Sequence, residues 1–291
     1  MSAYRGRFAP SPSGPLHFGS LVAALASWLV ARAAGGEWLV RIEDVDRART
    51  LDGASRRIIA TLRAFGLEPD GPIVRQSERS DLYEAALTRL RDSGVAYACA
   101  CSRADLVAVG GIHPPTCVRR WEPGVAGAWR IRVGTTSIGF DDRVFGHTRQ
   151  DLRRDVGDFV VQRVGGDPAY QLAVVVDDAE QGITDVVRGA DLLDSTPRQI
   201  LLRRFLGLSG TTWMHVPLVL DAQGRKLSKS EGGRAIDDAD PLPALREALA
   251  FLGQTIPARG TVSRILDAAV RAFDLQRITP HRHAHAAMQK D

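Results

Sequence analysis

The sequence predicts an α/β protein built around a parallel sheet that is covered by helices. Through the first ninety residues, short apolar segments typical of strands alternate with longer segments typical of helices. Parallel strands need a crossover between them, usually a helix, so this alternation favours a parallel sheet. A chain of 291 residues with 44% apolar and 25% charged residues can also bury a sizeable core.

The first strand runs into a helix through a turn that is rich in proline. Residues 10–15 contain three prolines and a glycine, which form a rigid, non-helical connection. An alanine-rich helix follows, and the pair Gly35 and Gly36 is expected to end it. Strands are expected at residues 5–9 and 38–42, and helices at 16–34, 52–65 and 80–93.

The character of the chain changes after the third helix. Many Gly and Pro residues and short alternating runs, such as Trp129 to Val133, predict an inserted module of loops and small antiparallel strands. Later strands are expected at 159–164, 173–176 and 216–220, and helices at 196–206 and across 241–273. We therefore divide the chain into the first half of the core (1–97), the inserted subdomain (98–166), the second half (167–238), and a C-terminal helical region with a tail (239–291).

Composition excludes several classes of protein. No run of about 18 apolar residues is present, so a membrane span is not expected. The N-terminus lacks the pattern of a signal peptide, which favours a cytoplasmic location. Three cysteines, an odd number, argue against a disulfide framework. The net charge of +4 fits an anionic partner such as RNA without requiring one.

The segment Pro12 to Ser20 lies between the first strand and the first helix and is a candidate phosphate site. A helix N-terminus presents unpaired N–H groups and the positive end of the helix dipole. His17 can donate to a phosphate oxygen, and Gly19 allows a nucleotide to approach the backbone closely. The alternative is a Pro/Gly turn that carries a surface histidine.

A second basic segment, Lys226-Leu227-Ser228-Lys229-Ser230, follows a predicted strand about 200 residues later. Two lysines three positions apart, followed by Gly232 and Gly233, are typical of a mobile cationic loop. Such a loop can close over a triphosphate and stabilise charge on the α-phosphate. The alternative is a basic surface loop.

All three cysteines fall in one short stretch, together with a histidine. Cys99, Cys101, His113 and Cys117 lie within 19 residues, and Cys₃His is a normal ligand set for tetrahedral zinc. Four protein ligands leave no open position, so we expect one structural Zn²⁺. The alternative is three free thiols with a histidine nearby by chance.

Taken together, these segments resemble the signature elements of class I aminoacyl-tRNA synthetases. Residues 12–20 resemble their HIGH-type element, and residues 226–230 resemble their KMSKS loop. The segments 7–14, 41–44 and 187–197 are similar to glutamyl-tRNA synthetases in particular. The resemblance implies a Rossmann-type nucleotide-binding core. It also implies ATP binding by His17, Gly19 and Lys229, and catalysis by His17, Lys226 and Lys229.

The same resemblance implies a pocket for glutamate. Arginine forks suit the two carboxylates of glutamate, and an acid suits its ammonium group. The implied glutamate ligands are Arg7, Phe8, Ala9, Pro10, Ser11, Glu43, Tyr170 and Arg188. Taken singly, Arg7 is equally consistent with a surface arginine, and Tyr170 with a half-buried aromatic residue on a strand.

The short C-terminus points to one branch of this family. About 58 residues follow Gly233, which is too few for the helical region that reads the anticodon in bacterial glutamyl-tRNA synthetases. The short form with CxC…C in the insertion resembles the glutamyl-queuosine tRNA(Asp) synthetases. That branch uses Cys, Cys, Tyr and Cys for zinc, and this sequence has His113 where the tyrosine would stand. Histidine is at least as good a zinc ligand, so the departure favours zinc.

The resemblance implies a reaction in two steps. Glutamate attacks the α-phosphate of ATP, with Mg²⁺ expected alongside the nucleotide, and the activated carboxyl passes to a hydroxyl of queuosine in tRNA(Asp). The expected partners are therefore L-glutamate, ATP and that tRNA, with no membrane, and the protein is expected to be a monomer. Two alternatives remain: a truncated glutamyl-tRNA synthetase that charges the 3′ end, and a non-catalytic RNA-binding relative.

Overall fold

The computed structural model describes residues 3–119, 121–220 and 236–280. The basic loop with Lys226 and Lys229 and the histidine-containing tail from residue 281 lie outside the described residues. Strands in the described part are β1 (Arg5–Phe8), β2 (Glu37–Ile42), β3 (Val74–Arg75), β4 (Ala96–Cys99), β5 (Ala128–Ile131), β6 (Ser137–Asp142), β7 (Gly146–Asp151), β8 (Phe159–Gln162), β9 (Asp185–Gly189) and β10 (Thr212–Val216). Helices there are α1 (Phe18–Ala33), α2 (Ala54–Ala64), α3 (Ser80–Asp92), α4 (Arg103–Val107), α5 (Leu152–Asp155), α6 (Tyr170–Glu180), α7 (Thr196–Phe205), α8 (Pro241–Phe251) and α9 (Val262–Arg271).

The parallel strands form the expected sheet. β1 pairs with β2, β2 with β3, and β9 with β10, all in parallel. The two groups meet where the Thr184 N–H donates to the Arg5 carbonyl at 3.0 Å, which places β9 beside β1. The strand order is therefore β3-β2-β1-β9-β10. From β1 the chain places β2 and β3 on one side, whereas β9 and β10 lie on the other side, so the strand order switches at β1. In open α/β sheets, ligands bind in the crevice at the carboxyl ends of the strands at this switch point.

The remaining strands pair mainly in antiparallel fashion. β4, β5 and β8 form a separate three-stranded sheet, in agreement with the small antiparallel strands predicted for this part of the chain. The hairpin β6–β7 instead joins the main sheet, because β6 pairs in parallel with β10 through Asp142 and Trp213. The division of the chain at residues 97, 166 and 238 stays a prediction.

Two of the predicted strands were wrong. Residues 173–176 lie inside helix α6, which buries Leu172 to Val175 together with Asp177 and Asp178. A short apolar run is compatible with either a buried strand or a buried helix, and the surrounding packing decides between them. The strand predicted at 216–220 is instead β10, which ends at Val216, because Pro217 has no N–H to continue the ladder.

The main core forms around α1, which is buried on nearly every side. Phe8 and Trp38 stack beneath it with ring centroids 6.4 Å apart, and the Trp38 indole N–H donates to Ser27 at 2.9 Å. Helices α8 and α9 cover the opposite side of α1, so its sequence is apolar all round. None of the helices in the described ranges is both long and apolar enough to cross a membrane.

The close approach of β1 to the start of β2 gives a test of this packing. A Cβ on Gly36 would overlap the carbonyl oxygen of Tyr4 and lie 2.6 Å from its Cβ. We expect Gly36→Ala to lower the free energy of unfolding by about 2–3 kcal/mol, as overpacking does.

Gly35→Ala is the matched control. Gly35 has a φ of +63° and nothing within 4 Å of its Cβ position, so only a left-handed backbone cost of about 1 kcal/mol is expected. Urea denaturation measures both, and equal losses would contradict the contact.

Candidate functional site

A cleft of about 710 Å³ lies at the carboxyl ends of β1, β9 and β10, beside the N-terminus of α1. It collects every predicted glutamate or ATP residue that the structure describes. Those residues are Arg7, Phe8, Ala9, Pro10, Ser11, His17, Gly19, Glu43, Tyr170 and Arg188. They come from four separate parts of the sequence, and the parallel sheet brings them together because the carboxyl ends of its strands share one edge.

The N-terminus of α1 forms one wall of the cleft. His17 is the N-cap residue, and its Nδ1 accepts the Ser20 N–H at 3.3 Å. This hydrogen bond leaves the ring proton on Nε2, so the imidazole can donate to an anion. The first turn of α1 contains no acidic residue that would oppose an anion. A Cβ on Gly19 would lie 3.2 Å from the His17 ring, so glycine also makes room for the capping histidine.

Arg7 is held by a carboxylate that the sequence analysis missed. Its Nε and Nη2 donate to the two oxygens of Asp178 at 3.0 and 3.3 Å. Arg41 Nη2 donates to the same carboxylate at 2.8 Å. Burial alone would raise the pKa of Asp178, but Arg7 and Arg41 together lower it to about 2. Asp178 is therefore ionised, and it fixes Arg7 at the floor of the cleft together with Arg41, which is buried behind it.

Glu43 has the opposite environment. It is buried, and among the described residues its Oε1 has no hydrogen-bond partner, the nearest cation being Arg41 Nη2 at 3.5 Å. Burial raises the pKa of Glu43 to about 7, although the charges of Arg41 and Arg7 oppose this shift. A buried acceptor without a donor is unfavourable unless a ligand supplies one, so Glu43 is suited to bind a cationic group.

Arg188 projects from β9 into the cleft and is held by neutral acceptors. Its Nε donates to His215 at 3.0 Å and its Nη1 to Gln199 at 2.8 Å. Its Nη2 donates to the Leu192 carbonyl at 3.2 Å and to the Thr196 hydroxyl at 2.8 Å. Burial lowers the pKa of this guanidinium, but an arginine side chain remains protonated in proteins. Among the described residues Arg188 makes no ion pair, so its charge is available to an anion.

Tyr170 lies at the first position of α6, not on a strand. It lines the cleft beside Glu43 and Arg188, and burial raises the pKa of its phenol, which stays neutral. The carboxylates of α6 that hold the site had one signal in the sequence. Asp177 and Asp178 form an acidic pair at the end of an apolar run, and acids in such a run need buried partners.

The four predicted zinc ligands are brought together away from the cleft. The ligand atoms of Cys99, Cys101, His113 and Cys117 all lie within 4.8 Å of one another. Tetrahedral zinc with Zn–S near 2.3 Å and Zn–N near 2.0–2.1 Å needs ligand atoms about 3.5–4 Å apart, so the cluster fits with small adjustments. Backbone N–H groups also point at the sulfurs, from Cys101 to Cys99 Sγ at 3.4 Å and from Arg119 to Cys101 Sγ at 3.3 Å. Such donors favour thiolates, as a bound cation requires.

The histidine of this cluster is oriented by its own partners. His113 Nε2 faces Cys99 Sγ at 3.3 Å, while its Nδ1 lies 3.4 Å from the Tyr97 hydroxyl. That hydroxyl donates to Asp158 at 2.7 Å, so it can accept the Nδ1 proton of His113. The lone pair of Nε2 then points at the cluster, where a zinc ion would be bound. The ion would tie the end of β4 to the following loop.

The orientation of His113 gives a metal-binding test. Tyr97→Phe removes the acceptor for the Nδ1 proton, and we expect zinc affinity to fall roughly tenfold while the stoichiometry stays at one ion, as for other outer-shell losses. Competition with a chromophoric chelator measures the affinity.

His113→Ala is the comparison, because it removes a ligand and should lose far more affinity than Tyr97→Phe. Cobalt substitution adds a second readout, since Tyr97→Phe should keep the tetrahedral thiolate spectrum and His113→Ala should change it. Purified protein without metal, or unchanged affinity in Tyr97→Phe, would contradict this assignment.

Comparison with known proteins identifies the family to which this chain belongs. The chain matches the family described as "tRNA synthetases class I (E and Q), catalytic domain" over residues 3–109 and 123–269. It is 57% identical over 289 residues to the Glutamyl-Q tRNA(Asp) synthetase of Xanthomonas oryzae pv. oryzae, covering 98% of this chain and 96% of the relative. It is 52% identical over 288 residues to the Glutamyl-Q tRNA(Asp) synthetase of Burkholderia mallei, covering 94% and 97%.

A solved structure shares the whole described fold. The crystal structure of a glutamate tRNA ligase from Elizabethkingia meningosepticum, in complex with its amino acid, superposes with a TM-score of 0.80 at 27% identity. The match covers 98% of this chain and 68% of that one. The family match spans most of the chain and includes the N-terminus of α1, Glu43 and Arg188. The chain therefore belongs to the class I tRNA synthetase family of glutamate and glutamine enzymes and contains its catalytic domain.

Proposed function

We propose that this protein activates L-glutamate with ATP and transfers the glutamyl group to queuosine at the wobble position of tRNA(Asp). The proposal rests mainly on one observation: two arginines and a buried acid line the same cleft as a helix N-terminus that is suited to bind an anion. Glutamate carries two negative charges and one positive charge. Arg7 and Arg188 supply the cations for the carboxylates, and Glu43 supplies the anion for the ammonium group.

In the activation step, a carboxylate oxygen of glutamate forms a bond to the α-phosphorus of ATP, and the bond to pyrophosphate breaks. His17 and the first N–H groups of α1 would bind the phosphates. Lys226 and Lys229, beyond the described residues, are proposed to stabilise charge on the α-phosphate as it develops. Mg²⁺ would neutralise the triphosphate oxygens when bound with ATP. Glutamate and ATP held in one cleft react as neighbours, which removes much of the entropic barrier.

In the transfer step, a hydroxyl on the cyclopentene ring of queuosine attacks the activated carbonyl, and AMP leaves. The support for this acceptor is the name of the relatives at 52–57% identity, Glutamyl-Q tRNA(Asp) synthetase. The likeness to the glutamate tRNA ligase, at 27% identity, supports the alternative in which the 3′ end is charged. The higher identity favours the first acceptor.

The acceptor can be located directly. Radiolabelled glutamate is transferred to tRNA(Asp), the product is cut with nuclease, and the labelled fragment is identified. We expect the label on the anticodon fragment and no transfer to matched tRNA that lacks queuosine. Label on the 3′-terminal adenosine, or equal activity on both tRNAs, would show that the acceptor is different.

The environment of Glu43 predicts the pH dependence of glutamate binding. An acid with its pKa raised to about 7 is neutral below that pH and cannot pair with an ammonium group. The KM for glutamate in ATP–pyrophosphate exchange should therefore fall as pH rises from 6 to 8, while the KM for ATP changes little.

Glu43→Gln is the matched variant for this measurement. It should raise the KM for glutamate by roughly tenfold or more, because a charge-assisted hydrogen bond is lost, and should flatten the pH profile. A KM that is independent of pH in the unmodified protein would contradict the assignment of Glu43. Absence of exchange with and without tRNA would contradict activation itself and favour a binding protein.

A further inference from the structure

Arg188 differs from Arg7, the other buried arginine in the described lining of the cleft, in the kind of partner that holds it. Four of its five N–H groups donate to described residues, and none of those acceptors is a carboxylate. The acceptors are the His215 ring, the Gln199 amide, the Leu192 carbonyl and the Thr196 hydroxyl. One N–H, on Nη1, has no acceptor among the described residues. Because Arg188 lines the cleft, this N–H is the group left for a ligand.

The partner of the Arg188 Nε is a fully buried histidine with one possible tautomer. Arg188 Nε can only donate, so His215 Nε2, at 3.0 Å, must accept. The ring proton is then on Nδ1, which donates to Asp142 Oδ2 at 2.6 Å. Burial lowers the pKa of His215, and the charge of Arg188 adds to this, against the hydrogen bond to Asp142 that raises it. The imidazole is thus neutral, with its lone pair on Arg188.

Asp142, at the end of β6, is fixed as firmly as the histidine. Its Oδ1 accepts the N–H groups of Val144 at 3.0 Å and Phe145 at 2.9 Å, and that of His215 at 3.3 Å. Burial raises the pKa of Asp142, but these hydrogen bonds and the His215 ring lower it below its ordinary value. The carboxylate is therefore ionised. β6, β10 and β9 are adjacent strands, and the side chains of Asp142, His215 and Arg188 form a hydrogen-bonded chain across them.

We propose that Asp142 and His215 are positioning residues that orient the Arg188 guanidinium for a substrate carboxylate without neutralising its charge. This inference rests on the proposed binding of glutamate in the cleft. A carboxylate in direct contact with Arg188 would compete with the substrate for the same cation. The neutral imidazole of His215 instead accepts one hydrogen bond from Arg188. It also separates the negative charge of Asp142 from the guanidinium by the width of the imidazole ring. The substrate carboxylate becomes the direct counter-ion of Arg188.

The contrast with Arg7 supports this reading. Arg7 is paired through two N–H groups with Asp178, so much of its charge is balanced by the protein. Arg188 has the same degree of burial but no ion pair among the described residues. A buried guanidinium without a counter-ion destabilises the folded protein. Such an arrangement is expected at a site that binds an anion, because the ligand then supplies the counter-ion.

The decisive variant is Asp142→Asn. Asparagine keeps the size and the Oδ1 acceptor, but its NH₂ group faces His215 Nδ1, which must then accept. The ring proton of His215 then moves to Nε2. Two donors, this N–H and the Nε–H of Arg188, would face each other, and the hydrogen bond between the two residues is lost. We expect the KM for glutamate in ATP–pyrophosphate exchange to rise roughly tenfold to a hundredfold, as when an orienting partner is lost, with the KM for ATP unchanged.

A second pair of variants tests the same idea without the tautomer change. His215→Gln can still accept from Arg188 and donate to Asp142, so the KM for glutamate should stay within a few fold. His215→Leu is similar in size but removes the acceptor, so the KM for glutamate should rise as in Asp142→Asn. If Asp142→Asn does not fold, the ratio between these two variants decides.

Asp185→Asn is the matched control, since Asp185 is a carboxylate on β9, the strand of Arg188, but accepts from Thr184 and Thr212 and pairs with Arg143 rather than with Arg188. It should leave the KM for glutamate unchanged. The ¹⁵N chemical shifts of the His215 ring report its tautomer independently of activity. The proton is expected on Nδ1 in the unmodified protein and on Nε2 in Asp142→Asn.

The outcomes separate this inference from the proposed function. Unmodified protein that shows no glutamate-dependent exchange would reject glutamate activation, and the ¹⁵N shifts would still decide whether Asp142 sets the tautomer. Normal exchange with an unchanged KM for glutamate in Asp142→Asn and His215→Leu would overturn the positioning role. Equal rises in the KM for glutamate and ATP would also overturn it, because they indicate general damage to the cleft.

Discussion

The cleft depends on one buried carboxylate, Asp178, which joins elements that are far apart in the chain. It receives hydrogen bonds from Arg7 on β1 and Arg41 on β2, and it lies on α6, more than a hundred residues further along. Charges as deeply buried as these are stable only when they are paired and hydrogen bonded. Removal of one member of such a set costs on the order of 3–5 kcal/mol, because the others are left uncompensated. The pairing therefore fixes how α6 sits on the edge of the sheet.

A second carboxylate of α6 extends this arrangement. Asp177 accepts from Gln76, Arg79 and the Tyr83 hydroxyl, which lie between β3 and the first turns of α3. Adjacent acids on one helix thus hold two different parts of the N-terminal half. Tyr170, at the start of the same helix, is placed in the cleft as a result. The ion pairs of α6 therefore help to fix where Tyr170 lies in the pocket.

The two arginines of the cleft show two solutions to burying a cation. Arg7 is paired directly with Asp178, a carboxylate that it shares with Arg41, and this pairing stabilises the floor of the site. Arg188 is oriented by a histidine whose own carboxylate is one ring further away, which keeps its charge for a ligand. Glu43 completes the set as a buried acid with little hydrogen bonding of its own. The site is thus built to receive charges of both signs, which is what an amino acid with an acidic side chain presents.

Much of the fold and of the candidate site could be predicted from the sequence. The alternation of strands and helices gave the parallel sheet, because periodicity and breakers are local properties. The spacing of the cysteines and His113 predicted the candidate zinc ligands, and the family resemblance predicted the residues that meet in the cleft. All of these features depend on residues that are near in the chain or that recur in a known order.

Only the tertiary structure decided the features that depend on contacts between distant segments. The apolar run 173–176 fits either state by its local pattern, and it forms a helix that packs against α3, α7 and β8. Asp178, Asp142 and His215 could not be assigned from sequence, since an acid or a histidine acquires a role from its partner. Those partners lie 171, 73 and 27 residues away and are brought close only by the order of strands in the sheet.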